Sequence, residues 1–256
     1  QIPGRSVRAS ARLATLRSVT FPQTAQRLPR PVLVTGTPIR GVGGLDQHEA
    51  RRRMGLPADL PAMLIFGGSQ EVKRLNDAVS DAIADLVQRC SVVHITGNGG
   101  IEAAEADRAG LPAGQQDRYR PFSFLGEDMG AALRSADLVV GRAGASTLAE
   151  TAAAGVPMVV VPYPHAAAHQ RANAAEMVDA GAAILVDDED LDGGTLLEAA
   201  DLLYDDRRSA MSEAAHHVGR PGAAAAGAWL LEALAARGPL PRQDELDEVS
   251  RSEQPS

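Results

Sequence analysis

Residues 62–70 read Ala62-Met63-Leu64-Ile65-Phe66-Gly67-Gly68-Ser69-Gln70. Five apolar residues run without alternation and end at a pair of glycines. A strand with one wet face alternates apolar and polar residues, whereas an unbroken apolar run suits a strand covered on both faces. An amphipathic stretch follows, from about residue 71 to residue 88, and reads as a helix. The same unit recurs along the chain. Residues 31–35, 91–96, 120–125, 137–140, 157–162 and 183–186 read as strands. Residues 46–54, a short run from 101, 127–135, 147–154, 169–179 and the stretch to about 236 read as helices. Strands of about five residues alternating with helices predict an α/β fold with a doubly wound, Rossmann-like parallel sheet.

Outward from this core, residues 31–237 form the expected domain. Residues 1–30 lack a strand signal and read as a basic arm or linker. Residues 238–256 are polar and rich in Pro, Glu, Asp, Ser and Arg, and are expected to be disordered. No repeat of solenoid period is visible.

Composition narrows the function classes. Of 256 residues, 45% are hydrophobic but only 3% aromatic, so the core is built from Ala, Val, Leu and Ile. Cys90 is the single cysteine, which excludes an internal disulfide or a multi-thiolate metal site and fits a reducing compartment. No apolar run approaches the ~20 residues that span a bilayer. The net charge of −8 argues against nucleic-acid binding. That charge is uneven: residues 1–45 hold seven arginines and no acid, so the remainder carries −15. Such an arm fits either anionic lipid or phosphate, or a helix packed on a neighbour with its arginines solvated. The chain starts at Gln1 with no signal-peptide pattern, which reads as a fragment or processed form.

Ligands of open α/β sheets sit beyond the carboxyl ends of the strands, so the loops that follow strands carry the functional reading. In Gly67-Gly68-Ser69-Gln70 the glycines permit a tight turn and a close ligand approach, and the next helix N-terminus seats a phosphate. The competing reading is a plain turn with Ser69 as N-cap. The second loop is Gly141-Arg142-Ala143-Gly144-Ala145-Ser146-Thr147-Leu148-Ala149-Glu150. Glu150 is placed to accept hydrogen bonds from a ribose diol, but Thr147 and Glu150 also fit a capping box, which spacing alone favours. The third is Pro162-Tyr163-Pro164-His165, with His169, Gln170 and Asn173. His165 and His169 are four apart, yet no third metal ligand is evident. His169 and Gln170 suit sugar hydroxyls, or else they decorate a helix start with Asn173. His94 reads as a satisfied near-core histidine, and His216-His217 as solvent-facing. No nucleophile-elbow, zincin, Walker A or C-x-x-C motif occurs. Lys73 is the only lysine, so phosphate binding would rest on arginine and backbone amides.

Taken together these loops carry a resemblance. The strings are Thr35-Gly36-Thr37-Pro38-Ile39-Arg40; Gly67-Gly68-Ser69-Gln70 with Leu75-Asn76; His94-Ile95-Thr96-Gly97; Ala136-Asp137-Leu138-Val139-Val140 with Arg142 to Glu150; Ala154-Gly155-Val156-Pro157; and Val161-Pro162-Tyr163 with His165, His169-Gln170 and Asn173-Ala174. In this order and spacing, over about residues 2 to 235, the chain resembles the carboxyl-terminal, nucleotide-sugar-binding half of the bacterial peptidoglycan N-acetylglucosaminyltransferases. These are two-domain GT-B enzymes of glycosyltransferase family 28.

The resemblance implies UDP-N-acetylglucosamine as donor and lipid I, the lipid-linked muramyl-pentapeptide, as acceptor. The product is lipid II, formed with inversion at the anomeric carbon, by an enzyme peripheral on the cytoplasmic face of the cell membrane. It implies that Arg40 and Ser69 hold the diphosphate and that Leu125 meets the uracil through its backbone. Ala145, Ser146, Thr147, Leu148 and Ala149 bring a helix N-terminus to the phosphates, with Gly67, Gly68 and Gly144 as the phosphate loop. Glu150 binds the ribose, Gln170 the sugar hydroxyls, and His169 neighbours that sugar. No metal and no cofactor is implied, because helix amides and a guanidinium stabilise the charge that grows on the leaving UDP. The family's amino-terminal acceptor domain, with its general base and membrane surface, is not represented, so the isolated chain is expected to bind donor without turnover. The alternatives are half of another GT-B enzyme using a different UDP-sugar, and a non-catalytic nucleotide-binding or scaffold module.

Overall fold

The computed structural model describes residues 3–39, 45–67, 72–164 and 167–252. The chain opens with α1 (Arg5–Ala11), β1 (Arg17–Val19), α2 (Pro22–Ala25) and β2 (Val32–Val34). α3 (Gln47–Met54) leads into a larger unit of alternating elements. These are β3 (Ala62–Phe66), α4 (Lys73–Arg89), β4 (Ser91–Ile95), α5 (Ile101–Gly110), β5 (Tyr119–Phe122) and α6 (Met129–Ser135). Then come β6 (Leu138–Gly141), α7 (Ala145–Ala153), β7 (Met158–Val160), α8 (Ala167–Asp179) and β8 (Ala183–Leu185). Helices α9 (Gly193–Asp201), α10 (Arg207–Val218), α11 (Ala223–Ala235) and α12 (Gln243–Arg251) complete the chain.

Strands β3 to β8 form one parallel sheet in the order β5-β4-β3-β6-β7-β8. The chain winds outward from β3 to one edge, then returns to β6 and winds to the other. The switch point therefore lies between β3 and β6, where a crevice opens at the strand carboxyl ends. Their register ends on Phe66 opposite Gly141. A Cβ at Gly141 would stand 2.4 Å from the Phe66 carbonyl oxygen, so only glycine lets the two strands stay paired to their ends.

Both faces of the sheet are covered, as the unbroken apolar strands require. On β3, Leu64 and Phe66 pack with Leu133 of α6, Leu148 of α7 and Met177 of α8. Met63 and Ile65 face the other way, onto Leu75, Val79 and Leu86 of α4 and Leu196 of α9. Each such side chain, taken fully out of water, contributes about 1.5–3 kcal/mol. Asp46 caps α3 by accepting the Glu49 N–H at 2.7 Å, and Gly55 ends that helix in the left-handed region at φ 67°. At the amino end of the sheet, Asp137 accepts the Ala62 N–H at 2.8 Å and pairs with Arg51 of α3, which ties α3 to the starts of β3 and β6.

The chain ends differ from the sequence reading. The run near residue 31, expected to open the main sheet, instead pairs in parallel with β1 as a separate two-stranded ribbon. The first thirty residues thus supply a strand of their own, three residues long and too short to leave a hydropathy signal. Residues 243–251, expected to be disordered, form α12, whose Leu246 and Ser250 are fully buried. Gln243 explains its placement. Its side chain accepts the Val34 N–H at 2.8 Å and donates to the Val34 carbonyl at 2.9 Å, so an amide group occupies the edge of β2 as a neighbouring strand would. Arg220 holds the other end through Asp247 at 2.7 Å. No helix among the described residues is long and apolar enough to cross a membrane.

Candidate functional site

The switch point holds a cleft of about 450 Å³. Its floor is Phe66, Gly67 and Ile95, at the ends of β3 and β4. One wall is apolar: Phe124, Leu125 and Met129. The opposite wall is the α7 N-terminus, Gly144 to Thr147, with Glu150 one turn further in and Gln170 beside it. Phe124 is 76% exposed, an unusual solvent cost for a phenylalanine at the rim of a cleft. The sequence reading placed it inside a strand, but β5 stops at Phe122 and leaves Phe124 on the loop beyond.

Helix α7 begins at Ala145 with Gly144 as N-cap, in extended conformation and without a side-chain cap. Thr147 is therefore the third helical residue, and the Thr147/Glu150 capping box is not formed. The amides of Ala145, Ser146 and Thr147 precede the first intrahelical bond, which Leu148 N makes to the Gly144 carbonyl at 3.0 Å. This corrects two expectations. Leu148 is fully buried in the core with its amide engaged, and Ala149 faces away from the cleft toward Thr20 and Phe21. Only the first three helical residues present amides to the cleft, where they and the helix dipole favour an anion.

Gln170 lies at the cleft, 7% exposed, but its oxygen is committed to the protein. It accepts the Ala143 N–H at 3.1 Å and the Tyr163 N–H at 2.8 Å. Asn173, one turn along α8, donates to the Ala143 carbonyl at 3.1 Å. His169 is exposed and does not line the cleft, because α8 turns it outward. Leu125, Ala145, Ser146, Thr147, Glu150, Gln170, Gly67 and Gly144 are thus brought together, and Leu148, Ala149 and His169 are not. Arg40, Gly68, Ser69 and His165 lie outside the described residues. Among the described residues, no group of three or more His, Cys, Asp or Glu side chains gathers as a metal site.

Arg142, 2% exposed at the cleft, pairs with Asp188 and stands 5.5 Å from the centre of the Tyr163 ring. A buried guanidinium held this way is a fixed positive charge at the sheet's carboxyl end. Behind Ile95, His94 is buried between two partners: its Nε2 donates to Asn76 Oδ1 at 3.0 Å, and its Nδ1 accepts from Tyr119 at 2.9 Å. The roles follow from Asn76, whose amide nitrogen donates to the Thr96 carbonyl at 3.0 Å and leaves its oxygen facing the imidazole. Burial pulls the His94 pKa down to about 3, so the ring is neutral, as a satisfied core histidine should be. His216 and His217 are exposed, as expected.

Comparison with known proteins bears on the whole arrangement. Residues 62–226, which contain the sheet, the cleft and α7 to α10, match the glycosyltransferase family 28 C-terminal domain. The chain belongs to glycosyltransferase family 28. Two curated relatives bear the name UDP-N-acetylglucosamine--N-acetylmuramyl-(pentapeptide) pyrophosphoryl-undecaprenol N-acetylglucosamine transferase. The one from Chlorobium phaeobacteroides is 36% identical over 229 residues, 88% of this chain and 61% of that protein. The one from Moorella thermoacetica is 37% identical over 233 residues, 86% of this chain and 62% of that protein. This family 28 chain therefore spans about three-fifths of the length of these relatives. Among solved structures, Acinetobacter baumannii MurG matches with a TM-score of 0.64 at 31% identity, over 84% of this chain and 58% of that one. A putative UDP-N-acetylglucosamine 2-epimerase from Listeria monocytogenes shares the fold at TM-score 0.67 and 17% identity, over 93% of this chain and 64% of that one.

Proposed function

We propose that this chain is the donor-binding part of an inverting hexosyltransferase that takes N-acetylglucosamine from UDP-N-acetylglucosamine. The acceptor is lipid I and the product lipid II, made at the cytoplasmic face of the membrane. One observation carries the donor reading: three amides at the α7 N-terminus, unbonded among the described residues, lie at a cleft whose far wall is apolar. A uracil suits the wall of Phe124 and Leu125. A diphosphate suits the amides of Ala145, Ser146 and Thr147. Glu150, which lines the same cleft, is then assigned to the ribose hydroxyls. The amide NH₂ of Gln170 is the part of that side chain left to meet a sugar hydroxyl. Similarity to the Chlorobium and Moorella transferases supports N-acetylglucosamine as the sugar.

In transfer, an acceptor hydroxyl attacks the anomeric carbon as its bond to the diphosphate oxygen breaks. Charge then grows on UDP. Amides fixed in place before the reaction stabilise that charge at no reorganisation cost. The base that takes the acceptor proton belongs to the part of the relatives that this chain does not span, and closure against that part completes the site.

The test is calorimetric titration of the chain with UDP-N-acetylglucosamine, beside Glu150→Ala. Binding by the parent, and binding at least tenfold weaker by a folded variant, a loss of about 1.4 kcal/mol, is the expected result. A folded parent that binds neither UDP-N-acetylglucosamine nor UDP overturns the reading.

A further inference from the structure

We propose that Asn173 is a positioning residue for the donor diphosphate, acting through the Ala143 peptide rather than by touching the ligand. This rests on the donor-binding reading above. Ala143 lies between the last residue of β6 and the N-cap of α7, and it is fully buried. Both of its backbone polar groups are satisfied by side chains of a different helix. Gln170 Oε1 takes its N–H at 3.1 Å, and Asn173 Nδ2 donates to its carbonyl at 3.1 Å. The two side chains are three residues apart on α8, so they project from one face and hold the successive 142–143 and 143–144 peptides, Gln170 the first and Asn173 the second.

This grip has a consequence for α7. The helix starts two residues after Ala143, and Gly144 between them lacks a side chain to fix its own orientation. The 143–144 peptide that Asn173 holds leads directly into the N-cap, so its plane helps set the direction of the Ala145, Ser146 and Thr147 amides. Gln170 adds a second link, because the same oxygen accepts the Tyr163 N–H at 2.8 Å. The β6–α7 turn and the loop after β7 are thereby locked to each other. Asn173 has the single task of holding the carbonyl side. Without it, a buried carbonyl loses its partner and the peptide rotates to seek another. The amides then lose their common aim, and a diphosphate feels that loss while a nucleoside on the far wall does not.

The experiment compares the 256-residue chain with Asn173→Ala against three ligands: UDP, UDP-N-acetylglucosamine and uridine. Calorimetry reads the first two and ligand-observed NMR the third. The expected result is about tenfold weaker binding of both UDP and UDP-N-acetylglucosamine, with uridine unchanged within about twofold, at an unchanged circular dichroism spectrum. Loss of UDP-N-acetylglucosamine affinity alone would mean that Asn173 touches the sugar, and it overturns the proposal. Equal losses for uridine and UDP would mean general loosening, which overturns it too. Asn173→Leu, of similar shape but with no donor, should give the same split and stands in should the alanine variant fail to fold. A parent that binds none of the three ligands refutes the donor-site reading itself.

Discussion

Lowering the pH from 7 to 5 should destabilise this chain through His94. Burial places its folded-state pKa at about 3, against an ordinary value of 6.5 in the unfolded chain. The unfolded state therefore binds the proton first as pH falls, so the neutral imidazole contributes stability above about 6.5 that is lost progressively toward pH 3. At pH 5 the unfolded state has gained about 1.5 pH units of proton binding that the folded state has not, a loss of about 2 kcal/mol. His94 is 1% exposed, so solvent does not screen this effect. Protonation would also put a second N–H against the Tyr119 hydroxyl, which now donates to that nitrogen. The assay is urea unfolding at pH 7 and pH 5 for the parent and for His94→Gln, which cannot titrate. The other titrating groups are common to both proteins and cancel in the comparison. The parent should lose about 2 kcal/mol more than the variant over this interval. Parallel losses in the two proteins would mean that His94 keeps an ordinary pKa in the folded state, and the reasoning would fail.

Three further outcomes are expected. Gly141→Ala should cost about 1–3 kcal/mol and weaken UDP binding, since its Cβ meets the Phe66 carbonyl at 2.4 Å and parts β3 from β6; unfolding and titration curves check both. Gln243→Ala should cost about 1–2 kcal/mol and speed hydrogen exchange at Val34, while amides of the six-stranded sheet keep their protection. Cys90 is fully buried with its thiol pushed up to about 12, so a disulfide reagent should modify it only as fast as the chain unfolds, and rapid labelling in buffer would contradict that.

The sheet was legible because burial on both faces leaves a signal that needs no partner: Met63-Leu64-Ile65-Phe66 is apolar whichever way each residue points. The place of the switch point between β3 and β6 was not legible, because the order of the units along the chain does not fix the order of the strands in the sheet. The start of α7 was not legible. Thr147 and Glu150 satisfy a capping pattern, but Gly144 in extended conformation begins the helix earlier, and a glycine N-cap leaves no side-chain trace. Leu148 and Ala149 then fall in the second turn, where amides are already bonded. Gln170 shows a related ambiguity. An amide that suits a sugar hydroxyl suits a backbone N–H equally well, and the choice depends on Ala143 and Tyr163, which only the fold brings near. α12 was hidden for a third reason. Its composition is polar, and its one deeply buried leucine, Leu246, finds cover only once α11 and β2 are in place.

The clasp between Gln243 and Val34 also sets an order of events in the cell. Their positions lie 209 residues apart. At roughly 5–20 residues per second, synthesis takes roughly 10–40 s to deliver the glutamine after the valine has emerged. During that interval the edge of β2 at Val34 presents a bare N–H and C=O, the features by which strands of neighbouring nascent chains find one another. A chain cut short just before Gln243 would keep its six-stranded sheet and cleft with this one seam left open.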